Sequence, residues 1–335
     1  MRKILLTTTA LIALGSVSAV AADISLSGNV RWRYQTWSDD NPIVAGENNN
    51  SMGEILQLWV RSSETLDNGM SIGTNTRLRA GGNIDRNWID INGDFGSIDL
   101  GRQFSPSYLA SLHEGNVATV AGGDFTGGSV NAGFDAMNKG YIGGINRNNK
   151  IIYSIPAVGG LNASIGFADA GADSEANETS MAVTYDMAMG DGNVKLVYAN
   201  VKFDGADSTS ATNEGREIGV EYSSGFGRVY ATQQNVTTTP GAGGAKTNDQ
   251  EGMTFGGQYN LNDATRVVYS RHETDQDGTT DTGDKYSSDT IGVRYDIAGG
   301  LRFGLLHTNY DFTDAGNAAQ NDNGSATRLE VRVDF

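Results

Sequence analysis

The sequence predicts an all-β protein, a transmembrane antiparallel β-barrel of 16 strands. Three observations carry this reading. Apolar and polar residues alternate with a period of two through nearly all of the chain after residue 22, the pattern of strands with one apolar and one polar face. The alternating segments run about 9–13 residues, close to the roughly 9–11 that a tilted strand needs to cross a bilayer. Short Gly/Asn/Asp turns alternate with long polar loops, which places turns on one rim and loops on the other.

The segments follow in order. Residues 1–22 read as a secretory signal peptide: basic Arg2 and Lys3, an apolar stretch from Ile4 to Val20, and small Ala21 and Ala22 before Asp23. Residues 23–335 then form the barrel domain. In the first strand Ile24, Leu26, Gly28, Val30, Trp32 and Tyr34 alternate with Ser25, Ser27, Asn29, Arg31, Arg33 and Gln35. Turns are expected near Asp67–Gly69, Asp94–Gly96, Val158–Gly160, Gly190–Gly192, Gly225–Gly227, Asn262–Asp263 and Ala298–Gly300. Long loops are expected at Ser38–Met52, Phe104–Arg147, Ala170–Thr179, Gly205–Glu214, Thr239–Gln250, Asp275–Ser287 and Thr313–Ser325, with one short connection near Ala80–Asp85 on the same rim. In the last strand Leu329, Val331, Val333 and Phe335 alternate with Arg328, Glu330, Arg332 and Asp334. The even strand count returns both termini to the turn rim.

A soluble sandwich also alternates, but its strands are usually about 5–6 residues long. Here the polar faces also carry clustered charge: Arg31/Arg33, Arg77/Arg79, Glu217/Glu221 and Arg328/Glu330/Arg332. A wide barrel tolerates this because that face lines water, while closure pairs every backbone group against lipid. Aromatic residues near strand ends are expected in interfacial girdles: Trp32, Tyr34, Trp37, Tyr198, Phe203, Phe226, Tyr259, Phe303, Tyr310 and Phe335.

Composition narrows function. The chain has 335 residues, 45 of them Gly, no Cys, 40 acidic against 24 basic side chains, and a mean hydropathy of −0.36. Without Cys there is no disulfide scaffold, thiolate metal site or cysteine nucleophile. The acidic excess argues against nucleic acid as a partner. His113, His272 and His307 are far apart and lack metal-ligand spacing, and no Gly-x-Ser-x-Gly elbow is present. An enzyme is therefore not expected.

The signal peptide, the alternating strands, the single very long third loop and the terminal Phe335 together resemble a Gram-negative outer-membrane general porin. The likeness is to the sixteen-stranded trimeric porins of alphaproteobacteria such as Rhodobacter. Phe95-Gly96-Ser97-Ile98-Asp99-Leu100-Gly101-Arg102 resembles their fifth strand. Gly122-Gly123-Asp124-Phe125-Thr126-Gly127-Gly128 is similar to the tip of their constriction loop, and Asn149-Lys150-Ile151-Ile152-Tyr153-Ser154 to the strand after it.

The resemblance implies a homotrimer of barrels, each with its own pore narrowed by the third loop, about residues 104–147. It implies a constriction with loop acids, here Glu114, Asp124 and Asp135, facing a basic wall, here Arg31, Arg33, Arg61, Arg77, Arg79 and Arg102. Strand parity places the first five Arg on polar faces; Arg102 shares the parity of Ile98 and Leu100, so its direction stays open. Phe335 would be the signal read by the barrel-assembly machinery. The function implied is passive passage of ions and small hydrophilic solutes across the outer membrane.

Acidic residues assigned to the long loops, such as Asp39, Asp40, Glu47, Asp173, Glu175, Glu178, Asp275, Asp277, Asp281 and Asp284, predict a weak cation preference. They also offer Ca²⁺ an oxygen-rich bridge to lipopolysaccharide, and no cofactor is otherwise expected. Two alternatives remain: a substrate-selective channel, and a structural or adhesive barrel without an open pore. A sugar channel would show a track of lumen aromatics, and only Trp59 and Trp88 point inward by parity.

Overall fold

The protein is described from a computed structural model, which covers residues 23–39, 48–112, 142, 148–169, 177–204, 211–239, 248–278, 283–318 and 321–335. Its strands are β1 (Asp23–Asp39), β2 (Asn48–Thr65), β3 (Ser71–Arg79), β4 (Ile84–Gly93), β5 (Gly96–Arg102), β6 (Asn149–Ser154), β7 (Leu161–Ala168) and β8 (Asn177–Met189). They continue as β9 (Gly192–Asp204), β10 (Thr212–Ser224), β11 (Gly227–Thr239), β12 (Asn248–Asn260), β13 (Thr265–Gly278), β14 (Asp284–Asp296), β15 (Leu301–Thr313) and β16 (Asp322–Asp334). One short helix, α1 (Pro106–Ala110), interrupts the series between β5 and β6.

Each strand pairs antiparallel with its sequence neighbours, and β1 pairs with β16, closing the barrel. Closure leaves no open edge, so each ladder group finds a partner inside the protein, as hydrocarbon surroundings require. Beyond β16 the ladder continues through Phe335. The Gly28 amide donates to the Phe335 carbonyl at 2.8 Å, and the Phe335 amide donates back to the Gly28 carbonyl at 3.0 Å.

The period of two resolves into two surfaces. Outward, Leu26, Val30 and Trp32 on β1 are exposed, as are Phe255, Tyr269, Ile291, Leu305 and Leu329 on β12–β16. So large an apolar exterior has no place in water and marks the lipid-facing belt. Inward, polar groups bond across neighbouring strands: Thr290 to Thr308 at 2.8 Å, Gln250 to Gln276 at 3.0 Å, and His272 to Thr254 and Thr274, each at 2.8 Å.

Several sequence expectations need correction. The strands run further toward the loop rim than hydropathy indicates. Asp275 and Asp277 lie on β13, Asp284 on β14, Asp39 at the end of β1, and Glu178 on β8, facing inward. Above the lipid both faces of a strand are wet, so alternation fades there although the backbone ladder continues. Asp40, Glu47, Asp173, Glu175 and Asp281 fall outside the described residues.

Most of the girdle aromatics face outward. Trp32, Tyr198, Phe226, Tyr259, Phe303 and Phe335 are exposed, and Tyr34 shares the register face of Leu329. Phe226 packs against Tyr222 and Tyr259, with ring centroids 5.9 and 6.4 Å apart. Two aromatics turn the other way. Phe203 packs against Ile142, Ala199 and Val201 inside the lumen, and Tyr310 is buried with Tyr286 and Phe312. Parity decides both: each stands an even number of residues from an inward-facing neighbour on its strand. The side chain of Trp37 is outside the described residues.

Candidate functional site: a narrowed lumen with a basic wall

Residues 103–112 leave β5 and fold into the lumen along the inner wall, passing over β6–β8 to reach β10. α1 starts where Pro106 fixes the backbone at the first helical turn. Two inward glutamates hold this limb. Glu178 on β8 accepts from the Ser105 hydroxyl and from the Lys150 ammonium, the latter at 2.5 Å. Glu217 on β10 accepts from the Ser111 hydroxyl, from the Leu112 amide at 2.7 Å and from the Gln234 amide at 3.2 Å. Between them the Ser107 amide donates to the Ser180 hydroxyl at 3.0 Å.

The wall is also shaped for this limb. Leu112 sits over Gly219, where a Cβ would lie 3.0 Å from it, at one end of an apolar cluster with Val197, Tyr230, Val268 and Leu306 inside a polar lumen. These four wall residues come from β9, β11, β13 and β15. Gly219, Gly256 and Gly292 on the strands between make room for them: a Cβ on Gly256 would lie 2.8 Å from the Tyr230 ring, and one on Gly292 would lie 2.2 Å from Leu306. The returning limb touches the wall at Ile142, whose carbonyl oxygen would be 2.2 Å from a Cβ on Gly215. Gly215→Ala is therefore expected to unseat the returning limb. Limited proteolysis of the folded protein should cut within residues 104–147 faster than in wild type; identical cleavage would refute the seat.

The basic wall faces this loop. Arg31, Arg33, Arg61, Arg77 and Arg79 all register on inward faces of β1–β3, where parity placed them. Trp59 also faces inward and organises several of them. The guanidinium carbons of Arg61, Arg86 and Arg77 lie 4.5, 4.8 and 5.4 Å from its ring centroid, and Trp88 meets it edge-on at 5.8 Å. Arg86 is held on its other side by Phe104, at 4.4 Å. Stacking on an aromatic face fixes a guanidinium while leaving its charge in place.

Two carboxylates complete the wall. A β-bulge between Arg77 and Leu78 leaves Asp85 without a register partner and lets it turn inward beside Arg86. Asp85 accepts a two-pronged contact from Arg77 and lies 3.2 Å from Arg79. Glu330 pairs with Arg33 at 2.6 Å. Six arginines against two carboxylates leave this wall net positive.

Arg102 does not join it. It pairs with Asn87 on the register face of Ile98 and Leu100, away from the lumen, and is exposed. Glu114, Asp124 and Asp135 lie outside the described residues. Sequence reasoning missed Arg86 and Asp85, because a bulge breaks the period on which parity relies. It also missed the structural part of Glu178, assigned to a loop, and the inward Arg266, Arg294 and Arg302 near the turns. Counting every second residue from Val268, Leu306 and Gly292 would have found those three. Among the described residues, no three His, Asp or Glu side chains converge as metal ligands.

The barrel is similar to several solved structures. OmpT of Vibrio cholerae superposes with a TM-score of 0.73 at 14% identity, covering 95% of this chain and 99% of that one, and an in-vitro folded form of it is described as a trimer. The anion-selective porin from Comamonas acidovorans gives 0.69 at 18% identity, covering 94% and 100%. A mutant of the Rh. blastica porin gives 0.57 at 16% identity, covering 93% and 100%. No curated sequence relative matches the chain. Residues 7–334 match the sequence model of the Gram-negative porins, and the chain belongs to that family of multi-pass outer-membrane channels.

Proposed function

We propose that the protein is a general diffusion porin, carrying ions and small hydrophilic solutes passively, with a weak cation preference. The observation that carries this is the limb of residues 103–112, seated inside the lumen along β6–β10 and opposed by a stacked arginine wall on β1–β4. Such a gap selects by width and by transverse field rather than by binding one solute. In this reading Glu114, Asp124 and Asp135 are the loop acids that face Arg31, Arg33, Arg61, Arg77 and Arg79. Cation preference comes from the loop rim, where Asp249 stands opposite Asp277 and Glu251 opposite Asp275 on the outer face of β12 and β13, around the mouth rather than in the lumen.

Residues 1–22 would direct export, the exposed terminal Phe335 would be read by the assembly machinery, and the working unit would be a homotrimer. The trimer form of the Vibrio cholerae barrel supports that last assignment. The acidic rim would meet lipopolysaccharide through Ca²⁺; co-purification of lipopolysaccharide unchanged by a chelator would remove this part.

Planar-bilayer recording tests the reading. Ohmic openings in steps of three are expected, with a reversal potential on the cation side in a salt gradient. Neutralising Glu114, Asp124 and Asp135 together to Gln, Asn and Asn should shift that potential toward zero. Folded trimers that never conduct would overturn the porin reading. Current blocked by one solute at micromolar concentration would favour a substrate-selective channel.

A further inference from the structure

Toward the turn rim of the lumen, four arginines from four adjacent strands stand in a row that runs into Arg31 of the basic wall. Arg266 on β13 faces Arg294 on β14, Arg302 on β15 faces Arg332 on β16, and Arg332 also faces Arg31 on β1. Their strand neighbours Val293, Tyr295, Phe303 and Val333 are exposed on the lipid side, so the arginines point into the lumen. Like charges directly opposite one another weaken a sheet. Here three such pairs are contiguous.

Two carboxylates partly offset them. Asp296 lies 2.8 Å from Arg294, 3.1 Å from Arg302 and 3.4 Å from Arg266. Asp334 lies 2.5 Å from Arg332 and 3.0 Å from Arg302. Arg31 donates to the Asn29 side-chain oxygen at 2.8 Å. Five cations against two anions leave three positive charges in one band. The aspartates orient the forks without neutralising them: Arg294 uses only its Nε, so its two Nη groups have no protein partner among the described residues.

A row built for stability alone would balance its charges. A surplus of planar, pre-oriented donors matches the geometry of a carboxylate or phosphate, which a guanidinium binds through two parallel N–H groups. We propose that Arg266, Arg294, Arg302, Arg332 and Arg31 form an oxyanion-binding site at the inner mouth of the pore. It retains solutes bearing carboxylate or phosphate groups as they leave or enter the lumen. This rests on the porin reading for the passage of those solutes. With carboxylates on the outer face of the loop rim and arginines in the lumen at the turn rim, the two ends of the pore carry opposite charge, and its current rectifies at low salt.

The test uses the full folded trimer. Because the chain lacks Cys, Asp67→Cys in the first turn reports orientation through a membrane-impermeant thiol reagent. Citrate and inorganic phosphate are then added to either side. Block is expected from the turn side at lower concentration than from the loop side, with citrate and phosphate separating carboxylate from phosphate preference. R266Q/R332Q removes two charges yet leaves each aspartate an arginine, and should raise the half-blocking concentration about threefold or more. D296N/D334N adds two net charges and should lower it. Equal block from both sides, or values unmoved in both variants, would overturn the site. If the trimers do not conduct, calorimetric titration of the detergent-folded barrel with phosphate still decides: binding weakened in R266Q/R332Q supports the site, and no binding overturns it.

Discussion

Replacing Glu217 by alanine is expected to free the constriction loop from the barrel wall. Glu217 is fully buried and accepts from the Ser111 hydroxyl, the Leu112 amide and the Gln234 side chain. Removing the acceptor leaves buried donors unmade, at about 1–3 kcal/mol each. A loss near the upper end changes the ratio of seated to unseated loop by about a hundredfold, since each 1.4 kcal/mol is tenfold. Single-channel conductance should rise and become noisy, and the loop should become protease-sensitive. Glu217→Gln keeps an acceptor for the Leu112 amide and a donor for the Ser111 oxygen, so it should behave nearly as wild type. Conductance of Glu217→Ala indistinguishable from wild type would show that the loop is held elsewhere.

Glu178→Ala should have the largest effect on stability. The Lys150 and Glu178 side chains are 0% and 1% exposed and pair at 2.5 Å. Truncating one partner leaves an uncompensated ammonium inside the protein, at about 3–5 kcal/mol. Urea unfolding of the detergent-folded barrel should show a correspondingly lower midpoint. The double variant K150M/E178M should recover most of it, because an apolar pair of similar volume avoids the desolvation of two charges. Stability and loop seating then separate: the double variant still lacks an acceptor for Ser105, so its conductance should stay raised. A wild-type midpoint for Glu178→Ala would contradict the buried-pair account.

These two glutamates also show where sequence reading fails. Glu217 alternates with Ile218 and Val220 on the polar face of its strand, so its inward direction was readable. Its partners Ser111 and Leu112 lie more than a hundred residues earlier, and no local pattern links them. Glu178 was read as a loop residue because the alternation of β8 fades outside lipid. Arg102 was left open by parity and turns away from the lumen, since the β4–β5 register holds through Asn87 and Arg102. Asp85 and Arg86 both reach the basic wall only because a bulge shifts the period between them and Arg77.

The sequence by itself determined the strand count, the alternation of turns and loops, the lipid and lumen faces, and the inward direction of Arg31, Arg33, Arg61, Arg77 and Arg79. All of these follow from a period of two and from turn chemistry, which are local. The tertiary structure alone decided that Trp59 gathers three arginines, that Glu178 and Glu217 hold the limb of residues 103–112, and that Gly166, Gly215 and Gly219 clear its seat. It alone decided that four arginines near the last two turns and the C-terminus share one band with Arg31 at the inner mouth. Each of these depends on barrel closure and on the stagger between strands, which set residues from distant segments at one height, and that registration is a property of the whole sheet.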